Sequence, residues 1–559
     1  MHIYLPVAEN SASTLAVLGL GALVGFLSGL FGVGGGFLLT PLLIMLGIPP
    51  TIAAATSPNQ IVAASCSGTC AHTRAGNVDF KLGLLTLAGS MVGGLGGVVL
   101  IKALRTLGEA GFAISLTYIV MLAGIGGLMF SDGLKQLRRG ASEDKDSPPP
   151  RRSAFARALG RLPWPTHFPR SRITLSPLAP VLLGLAVGLP AAIMGVGGGF
   201  IMLPALIYVL TVPVHVAVGT TLFQTAVTCA VVTVLHASLN HTVDFVLALL
   251  LFPGSVVGAQ LGARLSRLLR GEQLKLLLSL VILGVMVKML LGVVLPPEIR
   301  VEYPSERRAG EQGESLLHAT GETEVGVVLS VAPQTVDIGL AFNGARVAVR
   351  ATLPEQGPVA VLLLGRERPL ALNKIEKFAR LLWKKGGTVV FASVPEAYLV
   401  QTSAALNELA SPEQRAALGL GYEALREKAC AQGATPDARE LLGELVKLKE
   451  REGLFAVRQA QIALPTPNGR GRTLRAEFSL PACAPAGEYE IRLFGLRGGQ
   501  LSLLGSQRIA LRKTGAVRTI SYLARERGLL YGIVAVALAA LAGLAVGFIF
   551  RGHRRGERA

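Results

Sequence analysis

Cysteine is scarce in this chain, whose 559 residues include only five, scattered along the sequence. Five scattered cysteines exclude a disulfide framework and a zinc site, and we expect neither a metal nor a cofactor. Cys66 and Cys70 lie one helical turn apart in an apolar stretch, and Cys229 lies in the matching stretch of the second half, which favours packing over a redox pair. Cys430 and Cys483 would form a disulfide only if they meet in an oxidising compartment, which the sequence does not decide.

Several functional motifs are absent as well. No Gly-x4-Gly-Lys-Ser/Thr loop occurs, so the chain encodes no P-loop ATPase. The formal net charge is +19, but no recognition motif accompanies it, and we expect no nucleic-acid partner. Much of the excess charge lies in short loops and the C-terminal tail, where it orients a membrane protein. No basic region precedes the first apolar run, so the N-terminus is not expected to be a signal peptide.

Apolar sequence, by contrast, is abundant. Residues 14–130 and 177–295 are mostly apolar and rich in Gly and Ala, as expected where membrane helices pack closely. Residues 296–525 have the composition of a soluble domain, and 529–550 is an apolar run long enough to span a bilayer. The predicted domains are a first transporter repeat (1–130), a basic cytoplasmic linker (131–176), a second repeat (177–295), a linker (296–324), a periplasmic β-rich domain (325–513), a C-terminal transmembrane helix (529–550) and a basic cytoplasmic tail (551–559).

One glycine-rich motif occurs twice, each time inside an apolar segment. The first copy is GFLSGLFGVGGGFLLTPLL, at 25–43, and the second is GLPAAIMGVGGGFIMLPAL, at 188–206. Four residues match at an offset of 163: Gly34, Gly35, Gly36 and Pro41 with Gly197, Gly198, Gly199 and Pro204. Glycine weakens a helix by up to about 1 kcal/mol per residue, and a bilayer tolerates broken backbone only inside protein or beside a wet cavity. Matching breaks in two halves therefore predict a membrane transporter and the position of its binding site.

The segments that contain the glycines are too long for one membrane helix. Residues 14–47 and 178–210 would each extend about 50 Å as straight helices, whereas the bilayer core is about 30 Å thick. The roughly ten residues after the glycines are too few to cross alone. We therefore predict re-entrant hairpins that turn at GVGGG, each followed by three spans, at 52–70, 81–101 and 110–130 and at 215–236, 244–262 and 274–295.

Loop charges orient these spans. The 131–176 connection has ten Lys and Arg against four acidic residues, so it is expected in the cytoplasm. Hairpins that enter and leave on one side then put 237–243, which has no Lys or Arg, outside, and 263–273, with Arg264, Arg267 and Arg270, inside. An odd number of crossings in each half inverts the two repeats and makes 296–525 periplasmic. We therefore expect a multi-pass protein of the bacterial cytoplasmic (inner) membrane.

The two halves also match in polar residues beside the glycines. The glycine turns and the helix N-termini after them offer unsatisfied backbone N–H groups, which attract anions. Amides and hydroxyls without a fixed cation suit a small oxyanion that must also leave. The predicted substrate-binding residues are Gly34, Gly35, Gly36, Thr56, Ser57, Asn59, Gln60, Gly197, Gly198, Gly199, Thr220, Thr221 and Gln224. The candidates for a proton relay are Asp79 and Asp244, with His72 and His236, which are expected at helix ends near water.

Each of these features has a structural alternative. The glycines can serve close helix packing alone, although their occurrence in pairs favours a site. Asn59, Gln60 and Gln224 can instead form hydrogen bonds between helices, and the sequence does not decide between the two roles. Asp79 and Asp244 follow short loops and open helices, so N-capping is favoured over proton transfer.

The two glycine-rich segments resemble those of the TauE/SafE sulfite exporter family of membrane permeases. The segments that carry this resemblance are GFLSGLFGVGGGFLLTPLL and GVGGGFIMLPAL, and it covers about 10–295. The resemblance implies that the protein moves small sulfur-containing anions, such as sulfite or organosulfonates, across the cytoplasmic membrane. Substrates differ within that family, so the anion, the direction and the coupling ion are left open.

The remainder of the chain, about 325–550, resembles an uncharacterised family of membrane-anchored proteins, mainly from alphaproteobacteria, with one C-terminal helix. This resemblance is carried by VLSVAPQTVDIGLAF (328–342), LVKLKEREGLF (445–455) and AGEYEIRLFGLRGGQL (486–501). Residues 325–364 and 454–512 alternate apolar and polar residues as half-buried strands do, and 403–452 has a helical pattern. We predict an all-β, Ig-like sandwich with a helical insertion.

The leading hypothesis is an α-helical polytopic membrane protein that acts as a secondary permease for a small sulfur oxyanion, with a tethered periplasmic accessory domain. The alternative is a membrane-anchored structural or sensory protein whose periplasmic domain binds a partner, but an anchor has no need of paired helix breaks. An enzyme is disfavoured, because the soluble part has no nucleophile–base or metal-ligand constellation. The expected partners are the anion and the lipid bilayer, while a homodimer and a periplasmic protein partner are left open.

Overall fold

The computed structural model describes residues 2–31, 36–106, 109–139, 165–171, 173–266, 271–303, 327–353, 357–378, 382–430, 435–462, 472–497 and 500–553. They fall into two compact units. The first, called the membrane unit below, comprises 13–295 and 521–559, and the second, the β-rich unit, comprises 1–12 and 296–520. The sequence assigned 1–12 to the first repeat, but this segment packs with the β-rich unit, because Tyr4 lies in its hydrophobic core.

The helices of the membrane unit follow the repeat seen in the sequence. In the first half they are α1 (Thr14–Phe31), α2 (Gly36–Met45), α3 (Pro50–Arg74), α4 (Phe80–Thr106) and α5 (Ala110–Arg139). A short hairpin of β3 (Thr166–Phe168) and β4 (Ile173–Leu175) precedes the second half. Its helices are α6 (Leu178–Met194), α7 (Gly199–Tyr208), α8 (Val214–Leu235), a π-helical turn (His236–Asn240), α9 (Phe245–Ser266) and α10 (Gly271–Val294). The C-terminal helix, α16 (Gly528–His553), completes the unit.

Six helices of the described residues are long and apolar enough to cross a bilayer: α4, α5, α8 with its π-helical turn, α9, α10 and α16. Helix α3 has 25 residues, which is enough to span, but its polar side chains keep it out of this group. Helices α2 and α7 have ten residues each, too few to cross alone, as the sequence predicts. The N-terminal region is therefore a helical membrane-spanning bundle.

Matching helices of the two halves pack on each other in opposite directions. A Cβ atom at Gly68, late in α3, would lie 3.0 Å from Leu222, early in α8. Ile61 and Val62, one to two turns earlier in α3, share a hydrophobic cluster with Cys229, which lies later in α8. As the residue number increases along α3, the residue number of its neighbour on α8 decreases, so the two helices are antiparallel.

Helices α5 and α10 repeat this antiparallel arrangement. A Cβ atom at Gly126 would lie 2.7 Å from Ile282, and one at Gly133 would lie 3.6 Å from Leu276. Both matched pairs, α3 with α8 and α5 with α10, are thus antiparallel.

Two further pairs join helices of opposite halves, α1 with α9 and α6 with α4. The two helices of each pair are parallel. At each contact a glycine faces the backbone of the neighbouring helix, and the absence of a side chain lets the two backbones come close. The contacts are Gly21 with Leu251 and Gly25 with Ser255, and, in matching positions, Gly184 with Thr86 and Gly188 with Ser90. The two halves are therefore interleaved rather than laid side by side.

The chain after the second glycine break lies beside the helix that precedes it. Ala179 and Val187 of α6 share one hydrophobic cluster with Met202 and Leu206 of α7 and with Leu210 just after it. The start of α6 and the end of α7 therefore belong to the same small core.

In the described residues the β-rich unit contains four sheets, three of which are built from strands that follow α10 in sequence. A six-stranded sheet has the order β13 (Phe455–Arg458), β12 (Tyr398–Thr402), β9 (Val359–Gly365), β15 (Gly487–Arg497), β16 (Gln500–Lys513) and β7 (Thr335–Ile338). A three-stranded sheet has the order β14 (Arg472–Leu480), β8 (Ala345–Leu353) and β6 (Val328–Ala332), and another has β11 (Leu382–Pro395), β10 (Glu367–Phe378) and β5 (Val301–Glu302). At the N-terminus β1 (His2–Leu5) pairs with β2 (Asn10–Ser13).

Helices occupy the segment of the β-rich unit for which the sequence predicts a helical pattern. They are α11 (Leu406–Leu409), α12 (Pro412–Leu418), α13 (Tyr422–Ala429) and α14 (Asp437–Arg451), and α15 (Gly515–Glu526) follows the last strand. Leu441, Leu442 and Leu445 are buried on one face of α14, as its amphipathic sequence predicts. All five cysteines are free thiols, including Cys430 and Cys483.

Candidate functional site

The second glycine break is a tight loop whose geometry requires glycine. Gly197 and Gly198 adopt φ angles of +71° and +79°, a region of backbone conformation that residues other than glycine rarely adopt. A Cβ atom at Gly197 would also collide with the Sγ atom of Cys229 on α8. Backbone conformation and close approach to α8 therefore both exclude a side chain at this position.

The first glycine break is described only at its end. Gly34 and Gly35 lie outside the described residues, whereas Gly36 is the first residue of α2. A Cβ atom at Gly36 would collide with the side chain of Ile61 on α3. The start of α2 is therefore packed against α3 as closely as Gly197 is packed against α8.

The two helices that follow the breaks begin side by side. Phe37 in the first turn of α2 stacks on Phe200 in the first turn of α7, with ring centroids 4.0 Å apart and ring planes 13° from parallel. Helix N-termini carry unsatisfied N–H groups and a partial positive charge, so two such ends create a positive potential in one place. This is the convergence that the paired glycine motifs predict.

A small cavity of about 30 Å³ lies at these two N-termini, enough for about two water molecules. No charged side chain lies among its described walls. Its walls are Gly36, Phe37, Ile61, Ser65, Val196, Gly199, Phe200, Leu203, Val218, Thr221, Leu222 and Thr225. The polar side chains among the described walls are those of Ser65, Thr221 and Thr225, and all three end in neutral hydroxyls.

Two hydroxyl groups in the cavity wall have no hydrogen-bond partner among the described residues. The Oγ1 atoms of Thr221 and Thr225, one turn apart on α8, are buried and form no hydrogen bond within the described part of the chain. The Oγ1 atom of Thr225 lies 2.9 Å from the place that a Cβ atom of Gly199 would occupy, next to the start of α7. A buried hydroxyl without a partner costs free energy, so these two groups are available for a ligand.

Gln60 and Gln224 connect helices of opposite halves. The Nε2 atom of Gln60 donates to Oγ of Ser255 at 2.8 Å, and that of Gln224 donates to Oγ of Ser90 at 2.6 Å. The two contacts match each other in the repeat. They favour the interhelical role for both glutamines, one of the two roles that the sequence left open.

Asp79 and Asp244 cap the helices that follow them. The Oδ1 atom of Asp79 accepts from the backbone N–H of Leu82, and that of Asp244 accepts from Leu247, both at 3.1 Å. The Oδ2 atom of Asp79 also accepts from Oγ of Ser171 at 2.7 Å. This is the N-cap geometry that the sequence favoured over proton transfer.

Thr56 and Thr220 hold these caps from the opposite half. The Oγ1 atom of Thr56 accepts from the backbone N–H of Asp244, and that of Thr220 accepts from Asp79, both at 3.0 Å. Neither residue lines the cavity. Both hydroxyls therefore serve the contact between halves.

Ser57 and Asn59 also lie away from the cavity walls. The Ser57 hydroxyl donates to the Ala53 carbonyl at 2.8 Å and accepts from Oγ1 of Thr40 at 2.7 Å. Asn59 is buried, and its Oδ1 atom has no hydrogen-bond partner in the described part of the chain. Of the predicted side-chain donors, only Thr221 lines the cavity.

The sequence predicted His236 at a helix end near water, but the structure buries it. It lies in the π-helical turn, with Nε2 3.4 Å from the Ala192 carbonyl and Nδ1 3.0 Å from Nδ2 of Asn240. Arg105 of α4 donates to the Asn240 carbonyl at 2.6 Å. His72, its counterpart at the end of α3, is only half-buried. His236 therefore holds the last turn of α6 just before the glycine break.

Sequence reasoning missed several residues of the site, among them Ser65, Thr225 and the two stacked phenylalanines. Thr225 follows Thr221 by four residues, and helical spacing was the signal that could have included it. Phe37 and Phe200 directly follow the glycines in both copies of the motif, and their stacking depends on tertiary contacts that no local pattern contains.

Comparison with known proteins assigns the two regions separately. Residues 17–289 match the family model "Sulfite exporter TauE/SafE", and residues 326–552 match the model "Putative transmembrane protein (Alph_Pro_TM)". No solved structure matches the chain.

Curated relatives align with the first region. "Probable membrane transporter protein YunE" of Bacillus subtilis (strain 168) is 24% identical over 282 residues, which cover 48% of this chain and 93% of that protein. "Probable membrane transporter protein YjnA" of the same organism is 28% identical over 273 residues, covering 48% of this chain and 97% of that protein. A "Probable membrane transporter protein" of Xylella fastidiosa (strain 9a5c) is 28% identical over 257 residues, covering 45% of this chain and 85% of that protein.

The matched region contains both glycine motifs, the two stacked helix N-termini and the cavity between them. It also accounts for nearly the whole length of the first two relatives, which are named as transporters. The chain therefore contains a domain of the TauE/SafE family, at 17–289, whose relatives are named as membrane transporters, and a second, β-rich domain is joined to it.

Proposed function

We propose that the protein is a secondary permease for small sulfur-containing anions, such as sulfite or organosulfonates, in the bacterial inner membrane. The observation that carries this proposal is the meeting of two glycine-broken helix N-termini, one from each half, at one buried cavity. The description of the matched family names sulfite export, which supports the substrate class.

The chemistry of the cavity suits an oxyanion that must be released again. Two helix N-termini supply N–H donors and partial positive charge, and the hydroxyls of Thr221 and Thr225 add two donors. No Lys or Arg lines the described walls, so no buried ion pair would hold the anion in place. A volume of about 30 Å³ is small for sulfite, and we propose that the walls separate when the anion binds.

We further propose that each glycine segment is a re-entrant hairpin and that the two repeats are inverted. With three crossings in each half, matching helices run in opposite directions, whereas with four crossings they would be parallel. The antiparallel contacts of α3 with α8 and of α5 with α10 support three crossings. The shared core of early α6 and late α7 supports a hairpin that returns to its own side.

Residues 13 and 295 both join the β-rich unit, which supports an even number of membrane crossings between them. Residues 1–12 and 296–520 belong to one compact unit, so residues 13 and 295 emerge on the same side of the membrane. Six crossings satisfy this condition, and seven would not. The basic 131–176 connection then favours a cytoplasmic linker and a periplasmic β-rich unit.

For the β-rich unit we propose an Ig-like sandwich with a helical insertion, which acts as an accessory to transport. Val349 and Phe478 from the three-stranded β14-β8-β6 sheet and Leu363 and Ile491 from the six-stranded sheet share one core, which supports two packed sheets. A purely structural or sensory protein is the less favoured alternative, since it would leave the paired breaks and the cavity without a role.

Uptake into proteoliposomes tests the proposed function. The full chain would be reconstituted and offered radiolabelled sulfite, thiosulfate, taurine and sulfate in parallel, with a proton gradient imposed in either direction. We expect saturable flux of at least one sulfur anion above that of protein-free liposomes. Equal, non-saturable leakage of all four compounds in both gradients would contradict the proposal.

Cysteine labelling tests the hairpin topology. In a variant without native cysteines, Ala75→Cys and Thr211→Cys place single thiols at exposed positions between helices, and Ala103→Cys places one at an exposed position in the last turn of α4. We expect a membrane-impermeant maleimide to label Ala103→Cys in intact cells, and Ala75→Cys and Thr211→Cys only after permeabilisation. If α6 and α7 instead crossed the bilayer as one span, Thr211→Cys would label in intact cells while Ala75→Cys stayed protected.

A further inference from the structure

The C-terminal helix α16 packs on the transporter through glycines that leave no room for a side chain. A Cβ atom at Gly543 would collide with the backbone of Ala63 on α3. A Cβ atom at Gly532 would lie 2.9 Å from both the Cβ atom of Ala237 and the Cα atom of Val234, at the end of α8. Backbones this close indicate a specific helix contact rather than a helix that floats in lipid.

Polar contacts fix the N-terminal end of the same helix. The Tyr531 hydroxyl accepts from the backbone N–H of Phe245, the first residue of α9, at 3.0 Å. The Nδ1 atom of His241, just after the π-helical turn, lies 2.8 Å from the Ala524 carbonyl, which precedes α16. Helix α16 therefore holds α3 of one half together with α8 and α9 of the other.

The contact surface lies directly behind the candidate site. Ala63 is two residues from both Ile61 and Ser65, which line the cavity. At its other end α16 touches Ala237 in the π-helical turn, whose His236 contacts the last turn of α6 before the glycine break. Helix α16 thus supports two structures that bound the cavity.

Helix α16 belongs to the second family match and not to the transporter family match. The alignments with YunE and YjnA already cover 93% and 97% of those proteins, and α16 falls within the second family match, at 326–552.

We propose that α16 contributes to transport and is not only the membrane anchor of the β-rich unit. By packing on both α3 and the π-helical end of α8, it fixes the position of the cavity wall. This proposal concerns how the wall is held, and its effect on flux rests on the proposed function. The position of the helix can be tested without transport.

Disulfide formation tests the docking. In a cysteine-free background, Ala237→Cys and Gly532→Cys would place two Cβ atoms 2.9 Å apart, which must open by about 1 Å to reach the usual disulfide separation. A protease site inserted within 304–326 lets a denaturing, non-reducing gel report the bond. We expect the cleaved double variant to stay as one band after oxidation. The control pair, Ala237→Cys with Ala537→Cys on the exposed face of α16, should give two fragments. Two fragments from both pairs would overturn the docking.

Matched substitutions test the functional role. Ala535→Leu adds bulk at a buried position of α16, and Ala537→Leu adds the same bulk at an exposed position two residues away. We expect Ala535→Leu to lower both flux and the midpoint of thermal unfolding, and Ala537→Leu to leave both unchanged.

A smaller substitution, Gly543→Ala, shows whether an effect of Ala535→Leu comes from misfolding alone. Alanine normally strengthens a helix relative to glycine, so a loss of stability in Gly543→Ala can come only from its contact with Ala63. Normal flux in both Gly543→Ala and Ala535→Leu, with the disulfide still forming, would leave α16 as a mere anchor and overturn its functional role. If the unaltered protein transports no sulfur anion, the proposed function fails while the disulfide and unfolding measurements still decide whether α16 is docked.

Discussion

Replacing Gly197 by alanine should reduce anion flux by on the order of a hundredfold, the loss that a displacement of about 1 Å can cause at a precisely arranged site. Alanine is strained at a φ angle of +71°, and its Cβ atom would collide with Sγ of Cys229. The loop can relieve both only by moving the start of α7, which carries the N–H groups that we assign to the anion. Initial rates of uptake into proteoliposomes measure the effect.

Two variants show whether the loss comes from the break itself. Gly127→Ala, on an exposed face of α5 with nothing within 4 Å of the new Cβ atom, should transport like the unaltered protein. Combining Gly197→Ala with Cys229→Ala removes the collision but not the backbone strain, so flux should recover in part. Full activity of Gly197→Ala would mean that the glycines serve packing and not binding.

Removing the two cavity hydroxyls should weaken binding without destabilising the protein. Valine has nearly the shape of threonine, so Thr221→Val with Thr225→Val deletes two donors and leaves the wall otherwise intact. Each lost hydrogen bond to the anion costs about 1–3 kcal/mol, which is roughly a five- to 150-fold rise in the KM for transport. Because both hydroxyls lack partners in the described part of the unliganded chain, the midpoint of thermal unfolding should stay the same or rise.

Thr228 provides the matched control on the same helix. It is 2% exposed, its hydroxyl has no hydrogen-bond partner in the described part of the chain, and it does not line the cavity. Thr228→Val should therefore behave like the double variant in thermal unfolding and like the unaltered protein in KM. An equal rise of KM in both would place the effect in the packing of α8 rather than in the cavity.

The glycine motif made the helical breaks predictable from sequence, because three consecutive glycines are a local signal of a lost helix. The thickness of a bilayer also showed that the roughly ten residues after each glycine break are too few to cross, and α2 and α7 have ten residues each. The short loops before Asp79 and Asp244 indicated that these residues cap the helices that follow. These predictions rest on propensities and lengths that act within a few residues.

The roles of the polar side chains were less predictable, because they depend on which face of a helix meets which neighbour. Gln60 and Thr221 are both polar residues on helices next to a glycine break, yet the first meets Ser255 and the second the cavity. His236 is the first residue of a π-helical turn and is buried against α6, and neither fact is indicated by the local sequence. Only the assembled bundle distinguishes these cases.

The N-terminal segment has a consequence for biogenesis. The backbone N–H of Tyr4 donates to the Leu340 carbonyl at 2.8 Å, and Glu9 forms an ion pair with Lys513, 504 residues further along the chain. At synthesis rates of about 5–20 residues per second, the first dozen residues wait roughly half a minute to two minutes before their last partner strand exists. The membrane helices α1 to α10 are synthesised in that interval, whereas α16 follows Lys513. A bulky tag fused to the N-terminus would thus be expected to impair the last-formed core of the β-rich unit, and not the membrane bundle that follows it in sequence.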